Sequence, residues 1–120
     1  ARTFTKDFVV LNYLPHTHVR GKSSTYTAIY PDGKVEKLLD VPNYDYNWQL
    51  YYEYPEPKLF PAGTRIEVEM VYDNSANNRN NPNPNKAVGF GLDTTEDEMA
   101  FGWMQYAFED LNLLGFIEEV

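Results

Sequence analysis

Two histidines separated by one residue, His16 and His18, are the residues whose types and spacing most directly suggest chemistry, and the sequence has no other histidine. On an extended strand successive side chains point to opposite faces, so both imidazoles share one face while Thr17 points away. Their Cα atoms would then lie about 6.5–7 Å apart, close enough for both rings to reach one metal ion. Two neutral imidazoles are half of a metal site. The alternative is a pair of half-exposed histidines with no ion.

Several strands are needed to position this pair. The run Phe8–Tyr13 has strong β propensity and leads through Pro15 into the histidine strand. Thr25–Tyr30 and Val35–Val41 are predicted to form a hairpin, with Tyr30 opposite Val35. The turn between them is Pro31–Lys34, in which proline presets φ, aspartate bonds its own backbone and glycine takes a positive φ.

Two further segments alternate apolar and polar residues with the period of a half-buried strand. Asn47–Tyr54 places Trp48 and Leu50 on its apolar face, and the prolines after it are expected to break regular pairing. Arg65–Tyr72 directs Ile66 and Met70 inward, which makes Met70 a core residue rather than a metal ligand.

The last third of the chain is less regular. Asp73–Lys86 is rich in asparagine and proline and is predicted to be a polar surface loop; calcium binding by its oxygens is a minor alternative. Short strands are expected at Ala87–Phe90 and Met99–Phe108, and Leu111–Val120 is expected to be a short strand or a tail that covers the core edge.

Many short strands with closely spaced turns predict an all-β fold, an antiparallel β-sandwich. The 120 residues suffice for one domain with a core, and neither a repeat nor a linker divides them. We therefore expect a single domain over residues 1–120, excised from a longer protein. The pattern itself leaves jelly-roll and immunoglobulin-like topologies open.

Composition excludes several classes of function. The net charge of -8 would repel phosphate, so neither a nucleic acid nor an anionic membrane is expected as a partner. No apolar run approaches the roughly 20 residues that a membrane span requires. The absence of cysteine excludes thiolate metal sites, disulfides and cysteine nucleophiles.

An ordered set of motifs runs through the chain. His16-Thr17-His18 is followed by Gly21-Lys22, and an acidic run ending in a methionine precedes a late aromatic strand. Between them stand Tyr30–Gly33, Tyr44–Gln49, Pro61–Thr64 and Tyr72–Asn78, and the acidic run is Asp97-Glu98-Met99. In this order, over roughly residues 8–106, the chain resembles the C-terminal domain of the copper type II, ascorbate-dependent monooxygenases, the peptidylglycine and dopamine hydroxylases, and in particular bacterial versions of that domain.

The resemblance implies a jelly-roll sandwich and a copper ion held by His16, His18 and Met99, where O₂ is activated for hydroxylation of a C–H bond. Such a ligand set is chemically informative, because a neutral thioether favours Cu(I) and adds little for zinc, calcium or magnesium. We also expect a periplasmic or extracellular location, which the absence of cysteine does not exclude.

The chain departs from the family at identifiable positions. The hydroxylases have a preceding domain whose second copper, bound by three histidines, supplies an electron; no histidine remains here for such a site. We therefore expect a redox partner domain on the same polypeptide, so this domain alone is not a competent enzyme. Leu14 replaces a substrate-binding arginine and Trp103 replaces a substrate-contacting tyrosine, so the small-molecule substrate is unknown, and these two residues are the predicted lining of its pocket.

Two functions from different classes stay open. The first is a copper-dependent monooxygenase domain that works within a larger redox protein. The second is a non-catalytic module, either copper-binding or carbohydrate-binding, that uses exposed Tyr44, Tyr46 and Tyr51. Arg20 and Lys22 flank the histidines and are expected to be solvated at a strand end.

Overall fold

A computed structural model of the protein describes residues 1–108, and its regular secondary structure is entirely β. The seven strands are β1 (Arg2–Thr3), β2 (Phe8–Thr17), β3 (Gly21–Ile29), β4 (Val35–Val41), β5 (Tyr52–Phe60), β6 (Arg65–Tyr72) and β7 (Ala100–Phe108). They form two antiparallel sheets, β1-β6-β3-β4 and β5-β2-β7. The predicted all-β antiparallel sandwich is confirmed, whereas the jelly-roll topology stays a prediction. Residues 1–108 contain no helix long and apolar enough to cross a membrane.

The hairpin formed by β3 and β4 follows from its turn chemistry. Gly33 has a φ of 88°, and the Asp32 carboxylate accepts the N–H of Lys34 at 2.9 Å. The strands pair through Ile29 and Val35, one residue from the predicted pairing of Tyr30 with Val35. Strand β6 also has the predicted bounds, and Ile66 on its inner face is buried.

Strand β2 is the centre of the three-stranded sheet, and it runs through Pro15 to Thr17. Its pairing with β5 covers only Phe8 to Tyr13, whereas its pairing with β7 extends to Thr17 opposite Ala100. Near the histidines, β2 therefore pairs with a strand on one side only among residues 1–108, and Pro15, which lacks an N–H, is tolerated there.

The predicted strand over Asn47–Tyr54 is confirmed only from Tyr52 onward, and residues 47–51 are not in a strand. Residues 42–51 form turns and irregular structure, and 71% of the Trp48 surface is exposed. The strand begins at Tyr52 and continues through Pro55 and Pro57 to Phe60. It can do so because β5 is an edge strand whose central residues lie in a register irregularity opposite β2, so its prolines interrupt no ladder hydrogen bond.

Aromatic residues fill the space between the two sheets. Phe8 of β2 stacks on Phe60 of β5, and Tyr13 of β2 contacts Tyr26 of β3 across the sandwich with ring centroids 4.8 Å apart. The buried core cluster comprises Phe4, Phe8, Val10, Tyr13, Tyr26, Ala28, Phe60 and Ile66. This core lies toward the Phe8 end of β2. His16 and His18 are near the other end of the strand, so they lie at the rim of the sandwich.

Strand β7 approaches the facing sheet closely at Gly102. A Cβ atom on Gly102 would lie 2.6 Å from a methyl group of Val68, so the sheets meet at this point only because a side chain is missing. The expected strand at Ala87–Phe90 is only a bridge between Phe90 and Glu98. The prediction for Leu111–Val120 lies outside the described residues.

The asparagine-rich segment 73–86 is a surface loop, as predicted. Its side-chain oxygens accept backbone N–H groups two residues further on: Asp73 bonds Ser75, Asn78 bonds Asn80 and Asn81 bonds Asn83. Such local bonds let the loop satisfy its own backbone without an apolar core.

Candidate metal centre

The two histidines lie at the end of β2, on either side of Thr17 in the sequence. Thr17 is held in place by Tyr44. Thr17 is buried, its N–H donates to the Tyr44 hydroxyl at 3.2 Å, and the same hydroxyl donates to the Thr17 carbonyl at 2.9 Å. A Cβ atom on Gly21 would overlap the Thr17 side chain and crowd Tyr44. The motif therefore needs a glycine there to let Tyr44 reach Thr17. Tyr44 is buried, so its predicted exposure is wrong.

The two imidazole rings lie close together at nearly a right angle. Their centroids are 5.6 Å apart and their planes meet at 85°. An ion bound by both Nε2 atoms at about 2.0–2.1 Å would be about 3.2 Å from each centroid, so near-tetrahedral ligation requires centroids about 5.2 Å apart. The observed centroid separation is within a few tenths of an ångström of that value, so the spacing of the rings matches the spacing that one shared ion requires.

Hydrogen bonds set the tautomer of both rings. His16 Nδ1 lies 2.6 Å from Gln49 Oε1, and His18 Nδ1 lies 3.1 Å from the carbonyl oxygen of Asp97. The Gln49 amide is oriented by its own Nε2, which donates to the Tyr46 carbonyl. Because a carbonyl oxygen can only accept, each Nδ1 must donate.

In a neutral imidazole, donation from Nδ1 leaves the lone pair on Nε2. Neither Nε2 atom has a hydrogen-bond partner within residues 1–108. A donor–acceptor contact at Nδ1 that orients the ring and leaves Nε2 for a metal is the usual arrangement around protein-bound ions.

Tyr46 forms a wall beside the pair. Its ring centroid is 6.4 Å from each imidazole centroid, and its hydroxyl lies 3.4 Å from Thr94 Oγ1. The sequence did not assign Gln49 to the site, and it suggested Tyr46 only for a non-catalytic copper-binding or carbohydrate-binding module. The available signal was the run Tyr44–Gln49, which supplies Tyr44, Tyr46 and Gln49 together.

The structure brings the backbone of Met99 next to that of His18. Thr17 pairs with Ala100, so His18 and Met99 are the next residues beyond the ladder. Glu98 Oε1 accepts the N–H of His18 at 2.5 Å and the N–H of Met99 at 3.3 Å. Both backbone nitrogens therefore lie within hydrogen-bond distance of the same oxygen atom. Met99 is half-buried and lines a cavity of about 370 Å³ with Tyr72 and Phe90. Its role as a ligand stays a prediction.

Arg20 is buried, contrary to the expectation that it is solvated. Its Nε donates to Asn74 Oδ1 at 3.2 Å and one Nη donates to the Thr95 carbonyl at 2.9 Å, while the other Nη has no partner within residues 1–108. These bonds attach the loop after β6 and the acidic turn to the end of β2. Arg20 therefore has a structural role: its side chain holds these two segments against the chain that follows His18.

The predicted pocket residues lie on the face that carries His16. In β7, Phe101 is opposite His16 and Trp103 is opposite Leu14, and opposed residues of antiparallel strands project to one face. The Phe101 and Trp103 rings stack with centroids 5.1 Å apart, and Phe90 meets the edge of Phe101. Trp103 is 55% exposed. The histidine pair is therefore bordered by an apolar, accessible surface.

Two tyrosines near the site are held as neutral hydroxyls. Burial raises the pKa of Tyr44 and of Tyr72, and the nearby Glu98 carboxylate raises both further, while the hydrogen bonds to Thr17 offset part of the rise in the pKa of Tyr44. The Tyr72 hydroxyl donates to the Met99 carbonyl oxygen, which lies 2.6 Å away.

Residues 1–108 contain no group of three or more His, Cys, Asp or Glu side chains that could hold a metal ion. Comparison with known proteins gives no match to a family model, to a curated protein or to a solved structure. The interpretation of the site therefore depends on its own geometry and on the motifs of the sequence.

Proposed function

We propose that this protein is a copper-binding domain of the copper type II monooxygenase kind. One observation carries the proposal: His16 and His18 share a face, and each Nδ1 faces a carbonyl oxygen, which leaves two Nε2 lone pairs free. Two neutral imidazoles oriented in this way are the nitrogen half of a metal site.

Met99 is proposed as the third ligand. A thioether sulfur selects soft Cu(I), whereas zinc takes its third protein ligand from imidazole, carboxylate or thiolate. When bound, copper would supply one-electron redox chemistry and the activation of O₂ toward a substrate C–H bond. Three neutral ligands leave a coordination position for a small ligand.

The surrounding residues orient the two imidazoles and form the surface beside them. Gln49 and the Asp97 carbonyl hold the imidazoles, and Tyr46 limits water on one side. Leu14 and Trp103 offer an apolar surface beside His16. Since Leu14 carries no charge, we propose a substrate without a carboxylate at that position.

The larger setting is part of the same proposal. The chain contains no histidine beyond the candidate pair, so a second electron would come from a redox partner domain on the same polypeptide. The jelly-roll topology and a periplasmic or extracellular location belong to this proposal as well.

A second candidate is a non-catalytic carbohydrate-binding module. It is favoured by two aromatic side chains of the segment 42–51, since Trp48 is 71% exposed and Tyr51 is 66% exposed. Exposed rings of this kind stack on sugar faces. Titration with a panel of oligosaccharides, against a Trp48→Ala/Tyr51→Ala variant as control, would detect it.

Separate titrations with Cu(I) and Cu(II) test the copper proposal. We expect one copper per chain, with tight binding abolished by His16→Ala or His18→Ala, because one strong nitrogen donor cannot hold the ion. Met99→Leu should weaken Cu(I) far more than Cu(II). Met70→Leu, a matched change on β6, should alter neither affinity.

Two outcomes would contradict these assignments. If the wild-type protein binds no copper, or if both histidine variants keep wild-type affinity, the proposed site is wrong. If Met99→Leu weakens Cu(I) and Cu(II) equally, the methionine is not a ligand.

A further inference from the structure

The Glu98 carboxylate is occupied by backbone N–H groups from two segments. Oε1 accepts from His18 N at 2.5 Å and from Met99 N at 3.3 Å, and Oε2 accepts from Arg20 N at 3.0 Å. Within residues 1–108 no Lys or Arg side chain forms an ion pair with it. Bonds of this kind to an ionised carboxylate are about twice as strong as neutral ones.

These bonds form where the sheet provides none. The ladder between β2 and β7 ends at Thr17 and Ala100, so neither His18 nor Met99 is held by strand pairing. Glu98 bonds the N–H of both residues, and the Tyr72 hydroxyl bonds the Met99 carbonyl. Two ties therefore set the position of the second imidazole relative to the methionine. They are the Glu98 carboxylate, which bonds both backbones, and the Asp97 carbonyl oxygen, which bonds His18 Nδ1.

We propose that Glu98 is a positioning residue for the candidate copper site, acting by fixing the Met99 segment against the His18 end of β2. The inference rests on the proposed function. It also gives a physical reason for a glutamate directly before the methionine: the side chain reaches back across to the histidine strand while its own backbone leads into Met99.

The test is Glu98→Gln, which keeps the side-chain shape. An amide has one accepting oxygen and one donating NH₂, so at least one backbone N–H would face a donor. We expect Cu(I) affinity to fall about 10- to 100-fold, the range for losing a residue that supports a metal ligand, with a much smaller change for Cu(II). X-ray absorption of the Cu(I) protein should lose its sulfur contribution.

Three companion variants sharpen the result. Glu96→Gln makes the same charge change two residues away, on an exposed carboxylate bonded to Lys86, and should bind copper as wild type does. Glu98→Asp keeps the charge but withdraws it by one methylene, so it should also lose the sulfur contribution. The double variant Glu98→Gln/Met99→Leu should bind Cu(I) no more weakly than Met99→Leu alone, because both act through one ligand.

A measurement on the metal-free protein separates this inference from the proposed function. In amide NMR spectra, Glu98→Gln should shift the His18, Arg20 and Met99 N–H signals and speed their exchange, while the β3–β4 hairpin is unchanged. Wild-type Cu(I) affinity with the sulfur contribution intact in Glu98→Gln or Glu98→Asp would overturn the positioning role and leave the copper site standing. A wild-type protein that binds no copper would instead defeat the proposed function.

Discussion

The Nδ1 atom of His16 and the Oε1 atom of Gln49 lie 2.6 Å apart, although 33 residues separate them in the chain. Gln49 belongs to the irregular segment 42–51, which also carries Tyr44 against Thr17 and Tyr46 beside both imidazoles. One surface segment thus orients one imidazole and encloses the pair.

Gln49→Ala should weaken copper binding about 10- to 100-fold, because His16 then rotates freely and loses its preferred tautomer. Copper titration measures the change. Asn47→Ala is the control, since Asn47 bonds only Asp45 within the same segment. Equal affinities for wild type and Gln49→Ala would show that the His16–Gln49 bond does not organise the site.

Gly102→Ala should lower the free energy of unfolding by about 1–3 kcal/mol, because the new Cβ overlaps the Val68 side chain of the facing sheet. Urea denaturation measures this change. Gly89→Ala, where a Cβ meets no atom within 4 Å, should change stability by no more than about 0.5 kcal/mol. Adding Val68→Ala to Gly102→Ala should restore part of the lost unfolding free energy. If it restores none, the Gly102→Ala variant is not destabilised by a clash with Val68.

Removal of metal should leave the fold intact. The core built from Phe8, Tyr13, Tyr26 and Phe60 is much larger than the rim site, unlike that of small zinc domains that unfold without their ion. Circular dichroism before and after chelation measures this. Loss of the β-type spectrum on chelation would contradict it.

Stability should decrease in alkaline solution. Burial raises the pKa of Tyr13 and of Tyr26 well above the ordinary 10.0, and the Tyr54 hydroxyl raises that of Tyr13 further. Their contribution is complete below pH 10, the value of the unfolded chain, and is lost as pH rises toward their folded pKa. A tyrosinate absorbance titration should therefore leave these two un-ionised until the sheets unfold; ionisation of all ten tyrosines near pH 10 with the sheets intact would contradict this.

The isolated domain should not couple O₂ consumption to product. Hydroxylation takes two electrons per O₂, one Cu(I) ion delivers one, and both histidines of the chain are already in the candidate site. With ascorbate, the copper-loaded domain should consume O₂ slowly and release reduced oxygen species. Stoichiometric hydroxylated product from a panel of small C–H substrates would show that no partner domain is required.

Several features were determined by sequence alone, because their causes are local. The turn at Pro31–Lys34 depends on proline, aspartate and glycine at adjacent positions, and β6 follows from its period-two pattern. The shared face of His16 and His18 follows from the same alternation.

Other features were decided by tertiary structure, because they depend on which segments the sheets bring together. Asn47–Tyr54 has a strand pattern, yet residues 47–51 pair with no strand among residues 1–108, and Gln49 within them bonds His16 of β2 instead. Burial of Arg20 follows from its bonds to residues 54 and 75 positions away. The Glu98 bond to His18 spans 80 residues and arises from the register of β2 against β7, which neighbouring residues in the sequence do not specify.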